Sequence, residues 1–189
     1  MPNNEFNHRV NEYVRLMQDY VTSDMTDWLA DHGFFDAPAS TKFHGAHEGG
    51  LYEHSAAVTQ FLVNLTRDNH LTWKNPRSPY VVGMFHDLCK IDQYRHPDAG
   101  LQMNGVPIKD TGKWEYNTET LLKGHGDKSV MLLSQFYELT EEEILCIRYH
   151  MGAFVEKEEW RDYTRAVNLY PNVLWTHTAD MLAAHVSGT

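Results

Sequence analysis

The stretch VVGMFHDLCKID, Val81 to Asp92, sets a histidine, a carboxylate and a lysine inside an otherwise apolar run. Burying an imidazole beside an ionised carboxylate is unfavourable unless hydrogen-bond partners, a salt bridge or a metal ion compensate. Ser78 followed by Pro79 reads as an N-cap and first helical position, and Tyr80 to Ile91 then carries apolar residues through successive helical turns. In such a helix Lys90 stands four residues after His86 and three after Asp87, so all three polar heads crowd one face. This stretch alone fits a buried His-Asp hydrogen bond with a snorkelling lysine as well as it fits a ligand cluster, and the choice rests on the remainder of the chain.

The 189 residues suit one domain spanning 1–189, large enough to bury a core. Hydrophobic residues at 42% and charged ones at 22% are ordinary for a water-exposed globular chain, and no apolar run approaches the length of a membrane span. The start, MPNNEFNHRVNEYV, has neither the basic opening nor the apolar core of a signal peptide, so a cytoplasmic location is expected. Cys89 and Cys146 form no disulfide framework and read as core-facing thiols. A formal net charge of -10 argues against an extended nucleic-acid surface, so any phosphate must be recruited locally. Twelve histidines, by contrast, are a rich supply of the commonest transition-metal ligand.

Upstream of the opening stretch, the spacing predicts an amphipathic helix from about Glu5 to Val21, a short one from Ser23 to about Asp31, and a third from Leu51 to Asn69 with His54 near its start. Between the last two, FFDAPASTKFHGAHEGG reads as an irregular loop carrying His44 and His47. Downstream, the glycines and prolines of residues 92–117 suggest an excursion containing a small hairpin, with short alternating pieces around Val106 to Ile108 and Lys113 to Tyr116. A helical run is expected over Val130 to Tyr137, after the segment Gly124-His125-Gly126-Asp127. Thr140 and Glu143 then form a capping box for a helix reaching His150, with Gly152 as its stop. Glu156 to Val167 reads as a polar helix, and Pro171 opens a last one through Asp180 to Val186. The expected fold class is all-α, a helical bundle with a small β-hairpin insertion.

His54, the pair His86-Asp87, His125, His150 and Asp180 each lie in or beside an apolar helix. A single histidine on an apolar face is usually a hydrogen-bonded core residue. Two carboxylates and four imidazoles together are sufficient for two divalent ions sharing one bridging carboxylate, with no thiolate required.

The segments GGLYEHS, MFHDLCK, GHGDKSV, IRYHMG and THTADML, spread over roughly residues 44 to 185, resemble the HD superfamily of metal-dependent phosphohydrolases. The resemblance implies an all-helical fold in which His54, His86, Asp87 and Asp180 are the ligands of the basic metal site. It also implies that Asp87 bridges to a second ion held by His125 and His150, as in the two-metal subgroup. Cys89 stands where that family often has glycine. Lys90 resembles a lysine that contacts a substrate oxygen or phosphate in several two-metal subgroups, its other reading being a salt bridge to Asp87. His47 is a candidate to reach the substrate or protonate a leaving group, while His44 reads equally well as a surface residue. His177, three residues before Asp180, is expected to support a ligand, and Trp114 and Tyr116 could stack a nucleobase or simply pack the hairpin.

The function expected is hydrolysis of a phosphoester in a small phosphorylated substrate: a nucleotide, a cyclic nucleotide or a short oligonucleotide end. Two divalent ions (Mn, Mg, Fe, Ni or Zn) would polarise the phosphoryl oxygen and supply hydroxide near neutral pH. Asp87, Lys90 and His47 are the candidate catalytic residues, with Lys90, His47, Trp114 and Tyr116 toward the substrate. The same ligand order also serves di-iron oxygenases that cleave C-C or C-P bonds within that superfamily, and a non-catalytic nucleotide sensor would retain the metal site for binding.

Overall fold

The periodicity of the N-terminal third becomes α1 (Asn4–Met17), α2 (Ser23–Asp31) and α3 (Gly50–Asp68) in the computed structural model, which describes residues 4–43, 45–96, 102–103, 106–107 and 113–188. His44 lies outside the described residues. The first helix ends earlier than its apolar pattern suggests: Gln18 adopts a left-handed φ of 49°, and the chain tightens into a 3-10 turn over Gln18–Tyr20. Thr22 then caps α2 by accepting the Met25 N–H. Tyr13, Met17, Met25 and Leu29 are fully buried with Phe34 and Phe35 of the following turn. Arg9, also buried, reaches from α1 to Asp36 (3.0 Å) and Glu48 (3.6 Å), tying the irregular segment before α3 to the body of the protein.

The opening stretch departs from its expected continuous helix. Helix α4 (Ser78–Phe85) stops before His86, and Leu88–Asp92 is a 3-10 helix. Pro79 does sit in the first turn, but the Ser78 hydroxyl donates to Glu143 (3.0 Å) and provides no cap. The chain continues through α5 (His125–Leu133), α6 (Glu141–Arg148), α7 (Trp160–Leu169) and α8 (Asn172–Leu182). Helix α5 begins at His125, five residues before the expected run, and α6 carries the complete Thr140/Glu143 capping box. Gly152 opens a 3-10 turn, Gly152–Phe154, and a π-helical turn, Ala183–Ser187, ends the chain's last helix. In the excursion, β1 (Tyr94–Arg95) pairs antiparallel with β4 (Glu115–Tyr116), and β2 (Gln102–Met103) with β3 (Val106–Pro107). The architecture is all-α with a small β insertion.

Two buried carboxylates organise the bundle. Glu143 Oε1 accepts from Ser78 at the start of α4, while Glu142 accepts from the Lys74 N–H and from Asn172 at the start of α8. Both acids lie in the first turn of α6, where the helix dipole favours negative charge. The beginnings of α4, α6 and α8 are thus joined at one point. These helices lead in the same direction, and His86, His150 and Asp180 stand at or near their far ends.

Candidate metal centre

Helix α3 enters this far end with its first turns, carrying His54. Its approach to α4 depends on Gly83, where a Cβ would fall 2.6 Å from Thr59 Cα. Phe85 packs against Tyr13 and Phe34, ring centroids 6.4 and 6.2 Å away, and so anchors the residue immediately before His86. On the other side, Gly126 lets α5 meet α6, since a Cβ there would lie 2.5 Å from the Arg148 carbonyl oxygen. His125 and His150 are brought together by that contact. The four imidazoles form a row, His54, His86, His150, His125, with successive ring centroids 5.3, 4.8 and 5.0 Å apart.

Asp87 lies along this row, 3% exposed at its side chain. Its Oδ2 is 3.5 Å from His86 Nε2 and 3.9 Å from His54 Nε2, while its Oδ1 is 2.8 Å from His125 Nε2 and 3.4 Å from His150 Nε2. Asp180 Oδ1 adds a second carboxylate 3.1 Å from His54 Nε2 and 3.9 Å from His86 Nε2. Lys90 places its ammonium 2.6 Å from Asp87 Oδ2. In a 3-10 helix, residues three apart eclipse each other, which accounts for this pairing better than an α-helix would.

The ring orientations bear on whether a cation fits. His86 Nδ1 lies 2.8 Å from the Gly83 carbonyl and His150 Nδ1 lies 2.7 Å from the Ile147 carbonyl. A carbonyl only accepts, so Nδ1 carries the proton in both rings, and a neutral ring then directs its Nε2 lone pair toward the carboxylates. Among the described residues, His86 Nε2 and His150 Nε2 are buried without a hydrogen-bond partner, and Asp87 Oδ1 has only the His125 Nε2 approach at 2.8 Å. Lone pairs facing carboxylate oxygens in a buried site repel unless a positive charge lies between them. The donor set of imidazoles and carboxylates is one that divalent transition metals take. Among the described residues, three overlapping groups have ligand atoms within 4.8 Å of one another: His54, His86 and Asp87; His86, His150 and Asp180; Asp87, His125 and His150. These buried groups could hold a metal ion.

Burial opposes the charge on Asp87, yet Lys90, His86 and His125 hold its carboxyl well below the usual carboxylate range. Burial likewise opposes charge on Asp180, but the His54 hydrogen bond and the neighbouring His86 and His150 bring it down to about 2. Burial would lower Lys90, and Asp87 more than offsets this and raises it. Cys89 is pushed up to about 12, chiefly by burial and then by the Asp87 charge, so its thiol is neutral.

A cavity of about 360 Å³ opens onto the cluster. It is lined by His54, Asp87, Lys90, His125 and Asp180 of the cluster, by the apolar Met151, Phe154 and Met181, and by Tyr94, His177 and His185 among others. His177 donates from Nδ1 to the His150 carbonyl (2.8 Å), and so supports that segment while facing the cavity. His47, a sequence candidate for the catalytic site, stands apart from the cluster. This residue is exposed on the turn before α3, its Nε2 3.6 Å from Glu53 and its Nδ1 3.1 Å from the Glu48 carbonyl, and it does not line the cavity. Trp114 packs on His96 with tilted rings, centroids 3.7 Å apart, also away from the cavity lining. Tyr116 packs on Tyr94 and lines a smaller neighbouring cavity that shares Gln93 and His125 with the main one. The lining residues Met151 and Phe154 carry no sequence signal beyond being apolar in a short turn.

No family model matches the chain, and neither a curated protein nor a solved structure matches it.

Proposed function

We propose that the centre holds two divalent ions bridged by Asp87, and that the protein is a phosphohydrolase of HD type acting on a small phosphorylated substrate, foremost a nucleotide. The observation that carries this reading is the division of Asp87: Oδ2 faces His54 and His86, Oδ1 faces His125 and His150, and Asp180 completes the first group. Such ions supply Lewis-acid polarisation and a water nucleophile active at neutral pH.

The chain's own residues account for the remainder. Lys90, which lines the cavity, offsets negative charge developing on the phosphoryl oxygens once it turns from Asp87 toward the substrate. The apolar lining of Met151, Phe154 and Met181 receives the organic part of the substrate and excludes water. His177 and His185 are the imidazoles facing the cavity outside the ligand cluster, and they take the proton-handling role that sequence alone gave to His47. An acidic chain with its cation recessed in a cavity favours a small substrate over a long polymer.

The test is phosphate release from a panel of nucleotides and cyclic nucleotides, with divalent metals added in turn to metal-free protein. Hydrolysis of at least one member is expected, reduced about a hundredfold in Lys90→Ala at unchanged metal content. Bound iron with oxygen uptake and no phosphate release would replace this reading with an oxygenase. Tight nucleotide binding with no turnover across the panel would replace it with a sensor.

A further inference from the structure

His125 differs from His86 and His150 in what its outer nitrogen meets. The Nδ1 atoms of His86 and His150 face backbone carbonyls, which only accept and therefore fix the tautomer that leaves Nε2 free for a cation. His125 Nδ1 instead faces the thiol of Cys89, with Sγ 3.4 Å away. A thiol is both a weak donor and a weak acceptor, so it neither fixes the tautomer nor makes the ring as basic as a carbonyl or carboxylate would.

The arrangement is built into the fold. Cys89 is buried, its N–H donates to Ser129 Oγ (3.0 Å), and that hydroxyl donates to the His125 carbonyl (3.3 Å), so the thiol and the ring are pinned to each other. His125 is also the most open of the four imidazoles, 31% exposed at its side chain, whereas His54, His86 and His150 are at 1% or less.

We infer that Cys89 is a positioning residue for His125, and that the Oδ1 side of Asp87, where this ring stands, is the weaker ion site, filled after the Oδ2 side and emptied before it. This inference rests on the two-ion reading above. It gives the protein a graded response to metal, with one ion retained and the other exchanging with the surroundings.

The experiment is calorimetric titration of manganese into metal-free wild type, Cys89→Ala and Cys89→Ser. Wild type is expected to show two binding events of different affinity. Cys89→Ala should weaken the second about tenfold or more while leaving the first unchanged, and Cys89→Ser, which retains a small donor and acceptor, should restore most of the loss. Imidazole 15N shifts of the metal-free proteins add a readout that general loss of stability does not move: those of His125 should change in Cys89→Ala, and those of His86 and His150 should not. A Cys89→Ala titration identical to wild type, or equal weakening of both events, overturns the role of Cys89 while leaving the two-ion reading intact. A wild type that takes up one ion overturns that reading and this inference with it.

Discussion

Asp87 is nearly inaccessible, yet it is approached by four imidazole nitrogens and an ammonium. Its two oxygens serve different partners, so its removal should do more than removal of any histidine. Asp87→Ala is expected to bind no metal, whereas His150→Ala should keep one ion; elemental analysis after dialysis distinguishes them, and two ions in His150→Ala would move the second site elsewhere. Asp180 makes a pH prediction. Its carboxyl sits at about 2, below the ordinary value of about 3.9, so the folded state binds fewer protons than the unfolded one in that interval. The contribution is present above about pH 4 and lost as pH falls toward 2, amounting to about 2 kcal/mol. Urea unfolding of metal-free Asp180→Asn over that range should show a correspondingly flatter pH dependence. The histidines and aspartates of this cluster were legible in the sequence because ionisable groups inside apolar helices need partners. The place of His47 was not legible, because loop glycines near a histidine do not reveal where the side chain turns.

At the scale of elements, the decisive feature is the end of α4 at Phe85. Apolar spacing over Tyr80 to Ile91 suits an α-helix, but a five-residue 3-10 segment has nearly the same pattern, since periods of 3.0 and 3.6 diverge little over one or two turns. The contacts at the break are themselves local: His86 donates to the Gly83 carbonyl three residues back, and Lys90 pairs with Asp87 three residues before it. The capping box of α6 was readable because it is purely local, and the early start of α5 was not, because it depends on contact with α6 through Gly126. Gly126→Ala should therefore push the two helices apart. A loss of about 1–3 kcal/mol in denaturant unfolding is expected, together with weaker binding of one ion. Unchanged stability and metal binding would show that the helices adjust freely.

Across the whole molecule, the Glu142 and Glu143 junction sets the common origin of α4, α6 and α8, and the histidine and aspartate cluster lies where they end. Like-charged and lone-pair-bearing groups gathered at that end are a liability when no cation is bound. An ion that binds the folded state alone stabilises it by mass action, so Tm should rise with metal concentration and fall again with chelator. The all-α class was legible from periodicity alone, but the joint at Glu142 and Glu143 was not, because partners 30 to 68 residues away in sequence leave no local signal. The most direct test of a centre divided by Asp87 is anomalous diffraction from crystals grown with manganese. Two peaks are expected, one beside Oδ2 among His54, His86 and Asp180 and one beside Oδ1 between His125 and His150; a single peak, or none near Asp87, would contradict the account.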